Sequence, residues 1–394
     1  MNAPAQPPRR PAKDGAHSRQ GDASPRPAIR VMIVDDSLTV RTIFRRMVES
    51  DPGMVVAATA SSGERAVAGL ETDPVDVVLL DLEMPGMGGL EALPLILETA
   101  PGCEVLVVSS LTQDGAEATL RALAGGAADT LLKPRPGGFD EDYRSQLLGK
   151  IRALGSPEDE EIAAGDSDIG HARRRDGSHI INPVHERRAL KPEILAIGAS
   201  TGGIHALNIL LRALKRDFNL PIVITQHLPS SFIPVFARQI EVASGRATRI
   251  GEDGTPIRAG EVVIAPGHSH MAVRRTSDGL FVRALAEPAP SGCLPSVDPM
   301  FASLASTCEG RVLGIVLSGM GRDGFEGAQD IVAAGGTIWA QDAETSAVWG
   351  MPGAIARAGL ATFVAAPGDL GEAIMMQHRG EVQGVGAAKD AAPS

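Results

Sequence analysis

Short apolar runs alternate with amphipathic stretches along most of this chain. Five such runs, RVMIVD, MVVAATA, VDVVLLD, CEVLVVSS and DTLLK, lie between residues 29 and 150. Segments with apolar positions at helical spacing, such as TVRTIFRRMVES, separate them. A second series between 191 and 379 contains EILAIGAS, PIVITQH, EVVIAPG and RVLGIVLSG, with further strands expected at TIWAQ and ATFVA. Strands that alternate with helices predict βαβ units on parallel sheets, and runs this continuously apolar belong to strands covered by helices on both faces. The expected fold class is therefore α/β in two domains. The first carries a five-stranded parallel sheet, and the second a doubly wound, mostly parallel one.

Three regions lack this periodicity. Residues 1–28 are rich in Pro, Ala, Gly and Arg and read as a disordered N-terminal extension. Residues 151–190 pass from acidic (SPEDEEIAAGDSD) to basic (HARRRDGSH) without an apolar stripe, which is the pattern of a charged linker. Residues 380–394 read as a second disordered tail.

Composition narrows the function classes. A net charge of −11 argues against nucleic acid as a partner, because phosphate binding needs a concentrated basic surface. No apolar run reaches membrane-spanning length, and the N-terminus lacks a signal-peptide segment, so no membrane insertion and a cytoplasmic location are expected. The cysteines Cys103, Cys293 and Cys308 show no paired or metal-type spacing and read as free thiols in a reducing compartment.

Ligand sites of open parallel sheets lie beyond the C-terminal strand ends. In the first block those ends carry Asp35 and Asp36, Asp81, Ser109 followed by Ser110, and Lys133. Three crowded carboxylates favour a hard cation such as Mg²⁺. A lysine and a hydroxyl beside them could stabilise a transferred phosphoryl group. Each Asp taken singly is equally a turn or helix cap. The five positions together resemble the receiver domain of two-component response regulators, with the phosphoacceptor motif LLDLEMPGMGGL and the lysine of LLKP. The resemblance implies a flavodoxin-like fold, Asp81 as phosphoacceptor, and Mg²⁺ held by Asp35, Asp36, Asp81 and the carbonyl of Glu83. It also implies phosphoryl contacts from Lys133 and Ser109, with Ser110 as the one-residue alternative.

In the second block Ser200, His227 and Asp323 each follow an apolar strand. Gly198-Ala199-Ser200-Thr201-Gly202 has the G-x-S-x-G spacing of a serine nucleophile on a strand-to-helix turn. With His227 as base and Asp323 to fix the imidazole, the three supply what acyl transfer needs. The chain order Ser, His, Asp differs from that of α/β-hydrolases. Other readings stand beside this one. Ser200 could cap a helix, the glycines could admit a phosphate, and Asp298 could replace Asp323, although it reads better as a helix-start residue. His268 and His270 share a strand face but lack matched metal ligands, so a loop role is expected. Met84, Met87, Met320 and Met351 read as packing residues.

AIGASTGG, ITQH, APG, PSVDPMF, SGMGRDG and AQDAETSAVWGMPGA are similar to the catalytic domain of the CheB protein-glutamate methylesterase family, whose N-terminal partner is a receiver. The resemblance implies phosphorylation-activated hydrolysis of glutamate methyl esters, and deamidation of glutamines, on chemoreceptors. A histidine kinase of the chemotaxis type would be the phosphodonor, and no cofactor would serve the esterase step. Ser200, His227 and Asp323 match the triad. Thr201 and Met320 match active-site positions, with the N–H groups of His227 and Met320 as oxyanion donors. The stretch before PSVD, SGCL, departs from the basic or His-containing segment usual in the family. The rival reading is a non-catalytic, phosphorylation-switched binding module, which needs none of the three triad residues.

Overall fold

The computed structural model describes residues 27–110, 112–134, 138–155 and 190–379. The expected terminal extensions and most of the linker lie outside these residues. The first domain runs β1 (Ile29–Val34), α1 (Leu38–Val48), β2 (Met54–Ala60), α2 (Gly63–Leu70), β3 (Val77–Asp81), α3 (Gly89–Thr99), β4 (Glu104–Ser109), α4 (Gln113–Ala124), β5 (Asp129–Leu132) and α5 (Glu141–Gly155). Its parallel sheet has the order β2-β1-β3-β4-β5, so chain direction across the sheet reverses beside β1. Every residue of β3 is buried, as its VVLLD sequence requires for a central strand covered on both faces. Helix α5 continues to Gly155, past the expected boundary at 150.

The second domain contains β6 (Ile194–Ala199), α6 (Gly203–Ala213), β7 (Ile222–Gln226), α7 (Ile233–Ser244), β8 (Thr248–Ile250), β9 (Pro256–Ile257) and β10 (Val262–Ile264). It continues with β11 (His270–Thr276), β12 (Gly279–Leu285), α8 (Val297–Thr307), β13 (Val312–Val316), α9 (Phe325–Ala333), β14 (Thr337–Gln341), α10 (Gly350–Arg357), β15 (Ala361–Ala365) and α11 (Pro367–Arg379). Seven parallel strands are ordered β15-β14-β13-β6-β7-β10-β8. A separate three-stranded sheet, β11-β12-β9, is antiparallel. The sequence pattern did not reveal that sheet. Alternating charged residues in HMAVRRTSDGLFVRAL hide an antiparallel hairpin whose outer half is exposed.

The two domains touch. Helix α4 of the first lies against α6 and α7 of the second. Polar bonds cross the boundary near the N-terminal end of β5. Gly202 N–H donates to Ala128 O at 2.6 Å, and Thr201 Oγ1 donates to Asp129 Oδ2 at 2.6 Å. His205 Nδ1 lies 3.0 Å from Ala124 O, and Gln239 Nε2 donates to Leu120 O at 3.2 Å. Among the described residues, no helix is long and apolar enough to cross a membrane.

Candidate active site

Strands β13, β6 and β7 are neighbours in register, so their C-terminal ends form one rim. Ser200 stands just beyond β6, whose six residues are all buried. Gly202 then turns the chain at a φ of 76°, where a side chain would be strained. Its N–H has left the strand ladder, and α6 starts at the next residue. Ser200 is fixed by its own N–H donating to Ser318 O (3.0 Å) and by Gln226 Nε2 donating to its carbonyl (2.9 Å).

His227 follows β7. Its Nδ1 lies 3.0 Å from Ser200 Oγ, and its Nε2 lies 2.7 Å from Asp323 Oδ2. The three predicted residues thus form one continuous hydrogen-bonded chain. The imidazole is reversed relative to the chymotrypsin-type arrangement, in which Nε2 faces the serine. Asp323 comes from the loop after β13 and is 3 % exposed. It accepts from Ser296 Oγ (2.6 Å) and from the N–H groups of Val297 (2.7 Å) and Asp298 (3.4 Å), at the start of α8. A carboxylate at a helix N-terminus with three donors beside the imidazole is stabilised as an anion. Burial opposes its charge, but the His227 bond and these donors hold its carboxyl well below the usual range. Burial likewise works against the imidazolium. The bond to Asp323 and the Cys293 sulfur outweigh it and push His227 up to about 9.

The remaining sequence candidates sort cleanly. Asp298 accepts from Gly327 N–H at 2.8 Å in the first turn of α8, the helix-start role expected for it. Burial first, then the Asp323 charge, raises its carboxyl to about 6. His268 and His270 diverge. His268 is exposed beside Glu252, whereas His270 is buried and its Nδ1 accepts from Ser296 N–H at 2.9 Å. Met84 and Met351 are buried, as packing residues should be, but Met320 is 43 % exposed at the rim. The His227 N–H cannot serve as an oxyanion donor as arranged here. It donates to Ala199 O at 3.1 Å, because the residue after β7 still pairs with β6. Thr201 does not face an open cleft, since its hydroxyl is bound to Asp129 across the domain boundary.

Several contributors carry no sequence signal. Ser296, 27 residues before Asp323 in sequence, supports it directly, and His270 does so through Ser296. Ser318 Oγ donates to Thr201 O at 2.7 Å and accepts from Val348 N–H at 3.1 Å, which fixes the nucleophile turn. Cys293 brings its sulfur among His227 and Asp323, with ligand atoms of the three within 4.8 Å of one another.

In the first domain, Asp35, Asp36 and Asp81 bring carboxylate oxygens within 4.8 Å of one another. Lys133 Nζ lies 2.8 Å from Asp35 Oδ2 and 2.6 Å from Asp81 Oδ2. Burial raises the Asp81 carboxyl, and Lys133 counteracts it. Ser109 Oγ is buried without a partner among the described residues, while Ser110 Oγ donates to Glu83 Oε1 at 2.6 Å. Glu83 N–H in turn donates to Asp81 Oδ1 at 3.2 Å.

Comparison with known proteins identifies the family. Residues 195–374 match the CheB methylesterase family, and residues 31–138 match the response regulator receiver domain. A protein of Paramagnetospirillum magneticum named protein-glutamate methylesterase/protein-glutamine glutaminase 1 is 42% identical over 366 residues, 86% of this chain and 94% of its own length. A Caulobacter vibrioides protein named protein-glutamate methylesterase/protein-glutamine glutaminase 2 is 42% identical over 355 residues, 89% of this chain and 99% of its own. The crystal structure of the Thermotoga maritima CheB methylesterase catalytic domain superposes with a TM-score of 0.46 at 31% identity, covering 47% of this chain and 98% of that one. With a receiver, a methylesterase domain and relatives that match nearly end to end, this chain belongs to the CheB family of receiver-linked methylesterases.

Proposed function

We propose that this chain is a phosphorylation-activated hydrolase that removes methyl groups from glutamate methyl esters on chemoreceptors, and ammonia from receptor glutamines. The supporting observation is the Ser200–His227–Asp323 chain of hydrogen bonds at 3.0 and 2.7 Å on one sheet rim. Ser200 Oγ attacks the ester carbonyl while His227 Nδ1 takes its proton. The imidazolium, stabilised by Asp323, passes that proton to the departing methoxide, so methanol leaves and an acyl-serine remains. Water, deprotonated by the same nitrogen, then attacks the acyl carbon and releases glutamate and Ser200. Ammonia replaces methanol when the substrate is glutamine. The Met320 N–H is the oxyanion donor in this reading, because the His227 N–H is already committed.

The gating half of the proposal assigns Asp81 as phosphoacceptor for a chemotaxis-type histidine kinase, with Lys133 and the Ser109 hydroxyl, which has no partner among the described residues, serving the phosphoryl oxygens. The carboxylate cluster suits a hard cation. Asp35, Asp36 and Asp81 with the Glu83 carbonyl would hold Mg²⁺, which offsets phosphoryl charge when bound. The docked receiver restrains the turn that carries Ser200, and phosphorylation favours the undocked population. Such an enzyme works in the cytoplasm, where receptor signalling segments and the kinase reside.

Methanol release from purified methylated receptor, with and without a small-molecule phosphodonor, tests both halves. Ser200→Ala should abolish release, and Asp81→Asn should remove the stimulation while leaving the basal rate. Undiminished release by Ser200→Ala would overturn the catalytic assignment. A serine-directed phosphonate that failed to label Ser200 would favour a non-catalytic binding module.

A further inference from the structure

Cys293 is not used by the triad chemistry, yet its sulfur faces it. Gly292, at a φ of 71°, turns the chain so that Cys293 reaches the rim, where its N–H bonds Ser291 Oγ and its Sγ lies 3.9 Å from Ser291 O. One imidazole nitrogen of His227, the Cys293 sulfur and a carboxylate oxygen of Asp323 lie within 4.8 Å of one another. Cys293 and His227 are partly exposed, so an ion can enter from solvent, while Asp323 forms the buried floor.

We propose that His227, Cys293 and Asp323 form an inhibitory site for a borderline-soft divalent cation of the Zn²⁺ type. Sulfur, imidazole and carboxylate on one ion are the donor types that Zn²⁺ selects. Tetrahedral ligands at roughly 2.0–2.3 Å from zinc stand about 3.3–3.8 Å apart, within the span these atoms already occupy. Small side-chain rotations suffice to open the tighter His227–Asp323 pair. Three protein ligands leave a fourth position for water. Asp323 is already held by the α8 N-terminus and Ser296, so it offers a pre-positioned oxygen. Two further features separate this site from the Asp35–Asp36–Asp81 cluster. That cluster holds only oxygen donors and so favours Mg²⁺. It also lacks a thiol, which marks the rim site spectroscopically. An ion on His227 and Asp323 blocks the relay from Ser200, so occupancy switches hydrolysis off reversibly. That inhibition rests on the proposed triad, whereas ion binding itself does not.

The test uses the full chain, stripped of metal and kept reduced, in excess Mg²⁺ to saturate the acidic pocket. Zn²⁺ is titrated against methanol release for wild type and Cys293→Ala, each normalised to its own zinc-free rate. Wild type should be inhibited and restored by chelator. Cys293→Ala should need at least about tenfold more Zn²⁺, since loss of even an outer-shell partner of a metal ligand weakens a site by about 10–100-fold. Co²⁺ supplies a readout independent of turnover. Thiolate-to-cobalt charge-transfer absorption should form in wild type and in Ser200→Ala, but not in Cys293→Ala. Equal Zn²⁺ sensitivity of wild type and Cys293→Ala, or absence of the cobalt–thiolate band in wild type, overturns the site. If Ser200→Ala shows the band but wild type shows no hydrolysis, the enzymatic reading fails and the metal site stands.

Discussion

The contact between Asp129 and Thr201 offers a direct test of how the receiver restrains the enzyme. Asp129 Oδ2 accepts from Thr201 Oγ1 at 2.6 Å across the boundary and from Lys150 Nζ at 2.5 Å within the receiver. In Asp129→Ala both bonds are lost, but only the first distinguishes docked from undocked protein, since the lysine pair persists in both. A hydrogen bond to a charged acceptor contributes about 1.5–3 kcal/mol. Asp129 is only 15 % exposed, but its Oδ2 is shared with Lys150, so a value near the lower limit is appropriate. At about 1.4 kcal/mol per factor of ten, the undocked fraction should grow roughly tenfold or somewhat more. The exposed Arg238–Glu117 pair adds little to docking, so it cannot compensate. Initial rates of methanol release without phosphodonor should therefore rise about tenfold, and the phosphorylated rate, already undocked, should not. The stimulation factor falls accordingly. If basal and stimulated rates both match wild type, this bond does not hold the gate, and the docked arrangement is not what limits the resting enzyme.

The residues of the rim give further expected outcomes. Ser200 needs a neutral imidazole, and His227 is pushed up to about 9, so kcat/KM should climb with pH from about 6.5 toward 9. Asp323→Asn should move this limb to lower pH and reduce the plateau. The same raised value means that the stability His227 gains from its partners is present below about 6.5 and fades as pH rises through about 9, which thermal unfolding across that window can check. His270→Ala strands the buried Ser296 N–H at a cost of about 1–3 kcal/mol. Asp323 should then be less well fixed, and the rate should fall with KM little changed. Gly319→Ala would place a Cβ 2.8 Å from Ser200 Cβ and 2.3 Å from Met351 Sδ. Methionine can yield but the nucleophile turn cannot, so activity should drop at least about tenfold while the Tm falls only modestly.

Much of the fold was legible because burial on both faces leaves an unambiguous mark. The VVLL stretch of β3 and the whole of ILAIGA contain nothing that could face water, and polar residues begin at the C-terminal end of each. That is why Asp81, Ser200 and His227 could be placed from sequence. The antiparallel hairpin β11–β12 was invisible for the opposite reason, since its exposed half resembles a charged loop. Backbone chemistry hid another detail. No residue pattern reports that the His227 N–H still pairs with Ala199 O one residue beyond the strand, so its use as a donor had to be corrected. Cys293 had no partner at metal-like spacing in the chain, and only folding brings it to His227. Ser296, Ser318 and Asp129 were likewise silent, because each acts through a contact made by tertiary structure.

The position of those silent residues bears on how a switch can work here. Thr201 and Gly202 immediately follow the nucleophile, and both are bonded to the receiver, Thr201 to Asp129 and Gly202 to Ala128. In the proposed reaction a receptor segment has to approach this turn, which the receiver already holds, so docking and substrate approach would compete. Asp129 opens β5, and Lys133, which spans Asp35 and Asp81, follows its last residue. A phosphoryl group that re-pairs Lys133 thus acts on the short strand whose other end touches Thr201. Differential stabilisation is all that such a switch requires. Several of the cross-boundary contacts are single hydrogen bonds rather than large ion-pair networks. Loss of one or two shifts the balance by tens-fold, within reach of one new charge at Asp81.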